Sequence, residues 1–153
     1  WEARKGLADF IALADMLPEE YHIVLVGKLD GTPLPARITH IPHTDSKEQL
    51  AELYSMADVF VNPSKAETFP TVNMEALACG TPIVTYNVGG SPEVVADGCG
   101  GIVPPFDVHR LSLETIRWAD TDCRNRCLQQ SRLLSAVLLK SHSFHIYDML
   151  CCL

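Results

Sequence analysis

Two glutamates, Glu67 and Glu75, stand eight positions apart in the stretch "AETFPTVNMEALACGTPIV". One precedes a helix and the other lies inside it. Pro70 suits the first helical position, where its missing N–H costs nothing. Gly80 suits the left-handed residue that ends a helix. The helix therefore spans about 70–79 and follows directly on the apolar run "DVFVN". In an open parallel sheet, ligands bind outside the carboxyl ends of the strands. That puts the N-terminus of this helix in the binding crevice, where free N–H groups and the positive dipole end suit a phosphate. Glu67, in the loop, reaches into the same crevice. Glu75 lies one to two turns in, set back from the phosphate. A carboxylate there can accept two hydrogen bonds from a ribose diol.

The elements that must position these residues alternate between helix and strand. "LADFIALADML" has apolar residues at helical spacing and ends before Pro18. "YHIVLVG" is a short apolar run closed by Gly27, and "RITHI" is a second short strand. "DGTPLP" between them is loop by composition. Ser46 opens the next helix, with Gln49 three residues on completing a capping box, and Leu50, Leu53 and Tyr54 form its stripe. "DVFVN", "PIVTY" and "GGIV" are further strands. Strands separated by helices of this length imply parallel pairing through right-handed crossovers. The fold class is α/β, a Rossmann-like parallel sheet flanked by helices. The near-continuous apolar strands imply a sheet covered on both faces. From Phe106 onward there is neither Gly nor Pro, so residues 107–153 read as a mainly helical tail. Within it "CLQQSRLLSAVLL" carries Leu134, Val137 and Leu138, widened by Leu133 and Leu139. "FHIYDMLCCL" is more apolar than a solvated end requires, and self-association through it is expected.

A length of 153 residues suits one domain, 1–153. The net charge of -7 and the pI of about 5.2 argue against a nucleic-acid binder, which needs a basic face. No apolar run long enough to span a membrane exists, and the chain opens on Trp1 with no leader pattern. It reads as a piece of something longer. Among the six cysteines, Cys123 and Cys127 share a helical face but lack matching ligands, so a metal site is not expected. Free thiols in a reducing compartment, the cytoplasm, are the plain reading.

Taken as a set, these residues resemble a known family. "ADVFVNPSKAETFPTVNMEALACGTPIV" followed by "NVGGSPEVVADGCGGIV" is similar to the donor-binding, C-terminal half of GT-B-fold retaining glycosyltransferases. Glu67 and Glu75 match the family's paired glutamates, with Phe69-Pro70 just after the first. Gly89, Gly90, Ser91, Pro92 and Glu93 match its Gly-Gly-x-Pro-Glu turn, and Lys5-Gly6 its Lys-Gly. The resemblance covers about residues 1–105.

It implies transfer of a hexose from a nucleoside-diphosphate sugar to a glycan or lipid-linked acceptor, with retained configuration, as in polysaccharide biosynthesis. Glu67 would hydrogen-bond the transferred sugar and Glu75 the ribose. Backbone amides around Thr68, Phe69, Pro70 and Thr71 would meet the diphosphate and sugar. Lys5 would neutralise the departing diphosphate, and Thr44 lies where the family's backbone meets the base. No cofactor and no metal is implied. Partners are the nucleotide-sugar and an N-terminal acceptor domain or partner subunit that this sequence does not contain. Peripheral membrane association is compatible with this picture. The isolated domain is expected to be inactive in transfer.

The chain departs from the family's pattern in having Thr68 where a glycine is common after the first glutamate. It also begins too late to show the family's phosphate-binding arginine, and Arg4 is no evident substitute. A nucleotide-sugar epimerase or hydrolase of the same fold, or a non-catalytic nucleotide-sugar-binding subunit, are the alternatives. Plainer readings stand beside each residue. Acids near a helix start satisfy its dipole, Lys5 can be a surface lysine, and Gly89-Gly90 can serve only a tight turn. His40 and His43 read as loop residues rather than ligands. Ser64 has no histidine or acid at nucleophile-activating spacing, and Trp1 and Trp118 read as packing residues.

Overall fold

The computed structural model describes residue 1 and residues 3–140, with side chains through residue 135. The apolar segment 144–153 and the side chains of Val137, Leu138 and Leu139 lie outside the described residues. A single 3-10 turn, Ala3–Lys5, leads into helix α1, Leu7–Met16. Strands β1, Ile23–Val26, and β2, Ile38–Ile41, follow, then helix α2, Lys47–Met56. Strand β3, Phe60–Asn62, precedes helix α3, Thr71–Ala78, and strand β4, Ile83–Tyr86. Helix α4, Ser91–Val94, strand β5, Gly100–Val103, and helices α5, Val108–Ala119, and α6, Arg124–Lys140, complete the order among the described residues.

Every strand pairing among the described residues is parallel, as the alternating pattern requires. The register matches Ile23 with Ile38, Phe60 with Ile83, and Ile83 with Gly100. The sequence implies one sheet, but the strands form two sections, β1-β2 and β3-β4-β5. No described strand pairs β1 to β3. The entering segment connects them instead. The Trp1 indole N–H donates to the Val26 carbonyl at 2.7 Å, and the Trp1 amino group donates to the Lys28 carbonyl. On the other side, the Lys65 N–H donates to the Arg4 carbonyl at 2.8 Å. Trp1 is thus a packing residue, its ring tilted against Phe10 at 5.5 Å.

Among the described strands, only β4 is buried along its whole length. Val24 of β1 and Ile102 of β5 are exposed, so the expected burial on both faces holds for β4 and fails for β1 and β5. The core runs from Leu7, Phe10 and Leu13 of α1 across Leu25, Ile83 and Val84 to Leu77 and Leu111. Fully burying one such side chain stabilises by about 1.5–3 kcal/mol. Its α6 side is closed by Cys123 and Cys127, both buried free thiols with sulfurs 3.8 Å apart. Leu134 packs on the same core while Leu133 is exposed.

Candidate functional site

The helix after β3 starts one residue later than its sequence suggests. Pro70 is the N-cap, in extended conformation at φ -79°, ψ 98°, and Thr71 is the first helical residue. An N-cap residue keeps non-helical dihedrals, and proline's fixed φ is compatible with that role. Gly80, at φ 82°, ends the helix in the left-handed region as expected. Ser46 caps α2 by accepting from the Gln49 N–H at 3.1 Å, and Asp107 caps α5 by accepting from the Arg110 N–H. The Gln49 side chain returns to the Asp45 N–H rather than to Ser46. By contrast α1, α3 and α4 begin on Gly6, Pro70 and Gly90, none of which has a side-chain oxygen to offer. Three helix starts without a side-chain cap therefore adjoin the loop that carries Glu67, although at α4 the N–H groups of Gly90, Ser91 and Glu93 already donate to the carbonyls of Glu67, Val88 and Gly90. Unsatisfied N–H groups at a helix start attract anions.

What gathers them is close backbone approach. A Cβ on Gly6 would sit 2.0 Å from the Pro63 carbonyl oxygen. A Cβ on Gly89 would sit 1.6 Å from the Glu67 oxygen, and one on Gly90 2.2 Å from the Thr68 oxygen. The Gly90 N–H also points to the Glu67 carbonyl, at 3.4 Å. The Gly89-Gly90 pair is therefore more than a tight turn, because it lets the α4 loop lie on the Glu67-Thr68 backbone.

The consequence is a direct contact between two residues 62 positions apart. The Lys5 ammonium donates to Glu67 Oε1 at 2.5 Å, the glutamate side chain being 9% exposed and the lysine 36%. Glu75 is not part of this pair. Its Oε2 accepts from the Tyr54 hydroxyl at 3.2 Å, across the α2–α3 contact. Around them Thr68 and Thr71 are exposed, Phe69 is half-buried and Pro70 is buried. Thr44 is half-buried on the loop entering α2. His40 lies on β2 rather than in a loop, its Nε2 2.8 Å from the Gly27 carbonyl, while His43 pairs with Asp45. Among the described residues, no group of three or more His, Cys, Asp or Glu is placed to hold a metal ion.

Sequence reasoning missed the supports beneath the pair. Asp9 on α1 is buried and meets the Lys65 ammonium at 2.9 Å and the Tyr86 hydroxyl at 2.9 Å. Burial first, then the hydrogen bond to Asp9, holds the Tyr86 phenol well above its ordinary pKa. These contacts fasten α1, which follows Lys5 directly, to the loop that carries Glu67. Asn62 adds a second tie, donating to Asn73 at 2.8 Å and accepting from the Ser64 N–H. The available signal was an acid in the first turn of an otherwise apolar helix face, since a buried charge demands partners.

The chain is similar to other proteins in both sequence and fold. The chain is 42% identical over 97 residues to a D-inositol 3-phosphate glycosyltransferase of Mycolicibacterium smegmatis, covering 63% of this chain and 21% of that protein. It is 31% identical over 132 residues to the alpha-maltose-1-phosphate synthase of the same organism, covering 76% and 34%. The solved sucrose-phosphate synthase of Thermosynechococcus elongatus superposes with a TM-score of 0.77 at 29% identity, covering 92% of this chain and 41% of that one. The chain thus spans about a fifth to a third of the length of these curated relatives. Its parallel strands and flanking helices are those of GT-B glycosyltransferases. Residues 1–132 match the description of the glycosyl transferases group 1, and the chain belongs to that family.

Proposed function

We propose that this chain is the donor-binding half of a glycosyltransferase that moves a sugar from a nucleoside diphosphate to an acceptor hydroxyl with retained configuration. The observation that carries the reading is the Lys5–Glu67 contact at 2.5 Å, set among three helix starts without side-chain caps. A nucleotide-sugar joins an anionic leaving group to a hydroxyl-rich ring. At that junction it needs one cation and one hydrogen-bond acceptor side by side. Lys5 and the N-terminus of α3 stabilise charge that grows on the diphosphate as the glycosidic bond breaks. Glu67 accepts from sugar hydroxyls, Glu75 holds the ribose diol, the amides of Thr68, Phe69 and Thr71 line the diphosphate path, and Thr44 faces the base. In this reading the lysine and the helix start carry the leaving charge themselves, so donor binding persists in a chelator. The acceptor comes from a further domain or subunit, whose closure over the donor excludes water. The free thiols suit a reducing compartment such as the cytoplasm.

Calorimetry on this chain with UDP, GDP, ADP and their glucose conjugates, in EDTA, tests the reading. Glu75→Ala is expected to weaken the nucleotide itself. Glu67→Ala is expected to remove mainly the increment that the sugar adds. Unchanged nucleotide affinity in Glu75→Ala refutes the ribose role. Sugar transfer by the 153-residue chain alone refutes the half-enzyme reading.

A further inference from the structure

The Tyr54 hydroxyl meets Glu75 Oε2 at 3.2 Å, and it is held more firmly than that of a surface tyrosine. The residue is 9% exposed at the last turn of α2. Its ring stands edge-on to Phe60 of β3, centroids 5.2 Å apart at 80°. Its carbonyl accepts from the Thr81 hydroxyl at 2.5 Å, just past α3. Strand β3, the end of α3 and the core thus fix where the phenol oxygen lies before any ligand arrives. Glu75 is half-buried and has three side-chain torsions to be fixed.

We infer that Tyr54 is a positioning residue for ribose recognition: its hydroxyl holds Glu75 Oε2 so that the carboxylate presents its remaining lone pairs to the 2′- and 3′-hydroxyls. The inference rests on the proposed ribose role of Glu75 and deepens it. A carboxylate accepts at about four lone-pair sites, so one bond from Tyr54 leaves enough for a diol. Fixing the glutamate beforehand removes rotamer freedom that binding would otherwise have to remove. The advantage applies only to ligands that carry the diol. A residue that merely packed α2 on α3 would affect all nucleotides alike.

Tyr54→Phe keeps the ring and its contact with Phe60 and deletes the donor. The probes are UDP, GDP and ADP with their 2′,3′-dideoxy counterparts, titrated calorimetrically against the wild-type chain, Tyr54→Phe, Glu75→Ala and the double variant. Tyr54→Phe is expected to weaken the ribose nucleotides about fivefold, as the rotamer freedom of one glutamate side chain implies, and to leave the dideoxy nucleotides unchanged. In the Glu75→Ala background the same substitution is expected to do nothing. If Glu75→Ala lowers the ribose preference and Tyr54→Phe does not, the positioning role is overturned and the ribose role stands. Equal losses for ribose and dideoxy nucleotides in Tyr54→Phe overturn it as well, leaving a packing role. If Glu75→Ala leaves the ribose preference intact, both fall together.

Discussion

Replacing Gly90 by alanine isolates what the Gly-Gly turn contributes. Gly90 has φ -82° and ψ 1°, a conformation alanine adopts. The strain of a left-handed residue is therefore absent, and only close approach remains. The added Cβ would stand 2.2 Å from the Thr68 carbonyl oxygen, where contacts under 3.0 Å are essentially never seen. The Thr68 carbonyl or the α4 loop must shift by about 0.8 Å. A hydrogen bond from the neighbouring amides to a diphosphate, near 2.9 Å when well made, would stretch past the useful limit. The expected result is about a tenfold loss of nucleotide-sugar affinity, roughly 1.4 kcal/mol. Stability should fall as well, by about 1–3 kcal/mol for forcing volume against backbone, partly offset because alanine also restricts the unfolded chain. Gly31→Ala is the complementary control. Gly31 has φ 94°, and a methyl group added there would meet nothing within 4 Å, so the change should cost about 1–2 kcal/mol of stability and no affinity. Gly89→Ala combines a φ of 49° with a 1.6 Å clash against the Glu67 oxygen and should lose both. Denaturant titration and calorimetry on the three variants separate the effects. Wild-type donor affinity in Gly90→Ala would refute the claim that close approach shapes the Glu67 loop.

Two further outcomes concern stability. Arg124 donates to the Cys79 carbonyl at 2.8 Å and the Ser55 carbonyl at 2.6 Å, placing a cation at the C-terminal ends of α3 and α2. Arg124→Ala should cost about 1 kcal/mol, as exposed cations at helix ends do, with nucleotide affinity unchanged in the same preparation. Burial raises the thiols of Cys99 and Cys127 above the ordinary 9.0 and the Tyr86 phenol above the ordinary 10.0. The folded chain then keeps protons that the unfolded chain releases. Stability is full below about pH 9 and falls as pH rises above it. Denaturant midpoints at pH 8, 9.5 and 10.5 should decline in that order, and a flat series would count against buried, high-pKa groups.

Local features of the chain set its elements and the residue types placed along them. Apolar runs closed by Gly27 and Pro63 became β1 and β3, Ser46 and Gly80 bounded their helices, and the spacing of Glu67 and Glu75 put one acid before α3 and one within it. These are local properties, fixed by caps, periodicity and backbone freedom. Tertiary structure alone decided which distant groups meet. Lys5 touches Glu67 because Gly6 can press on Pro63 and Gly89 on Glu67, and because Asp9 binds Lys65 and Tyr86. Glu75 turns to Tyr54 because α2 packs on α3. The exposure of Val24 and Ile102, and the division of the strands into two sections, likewise follow from which strands find partners. Periodicity says that a strand forms. Which neighbour it pairs with depends on contacts between residues far apart in the chain, and these no local pattern records.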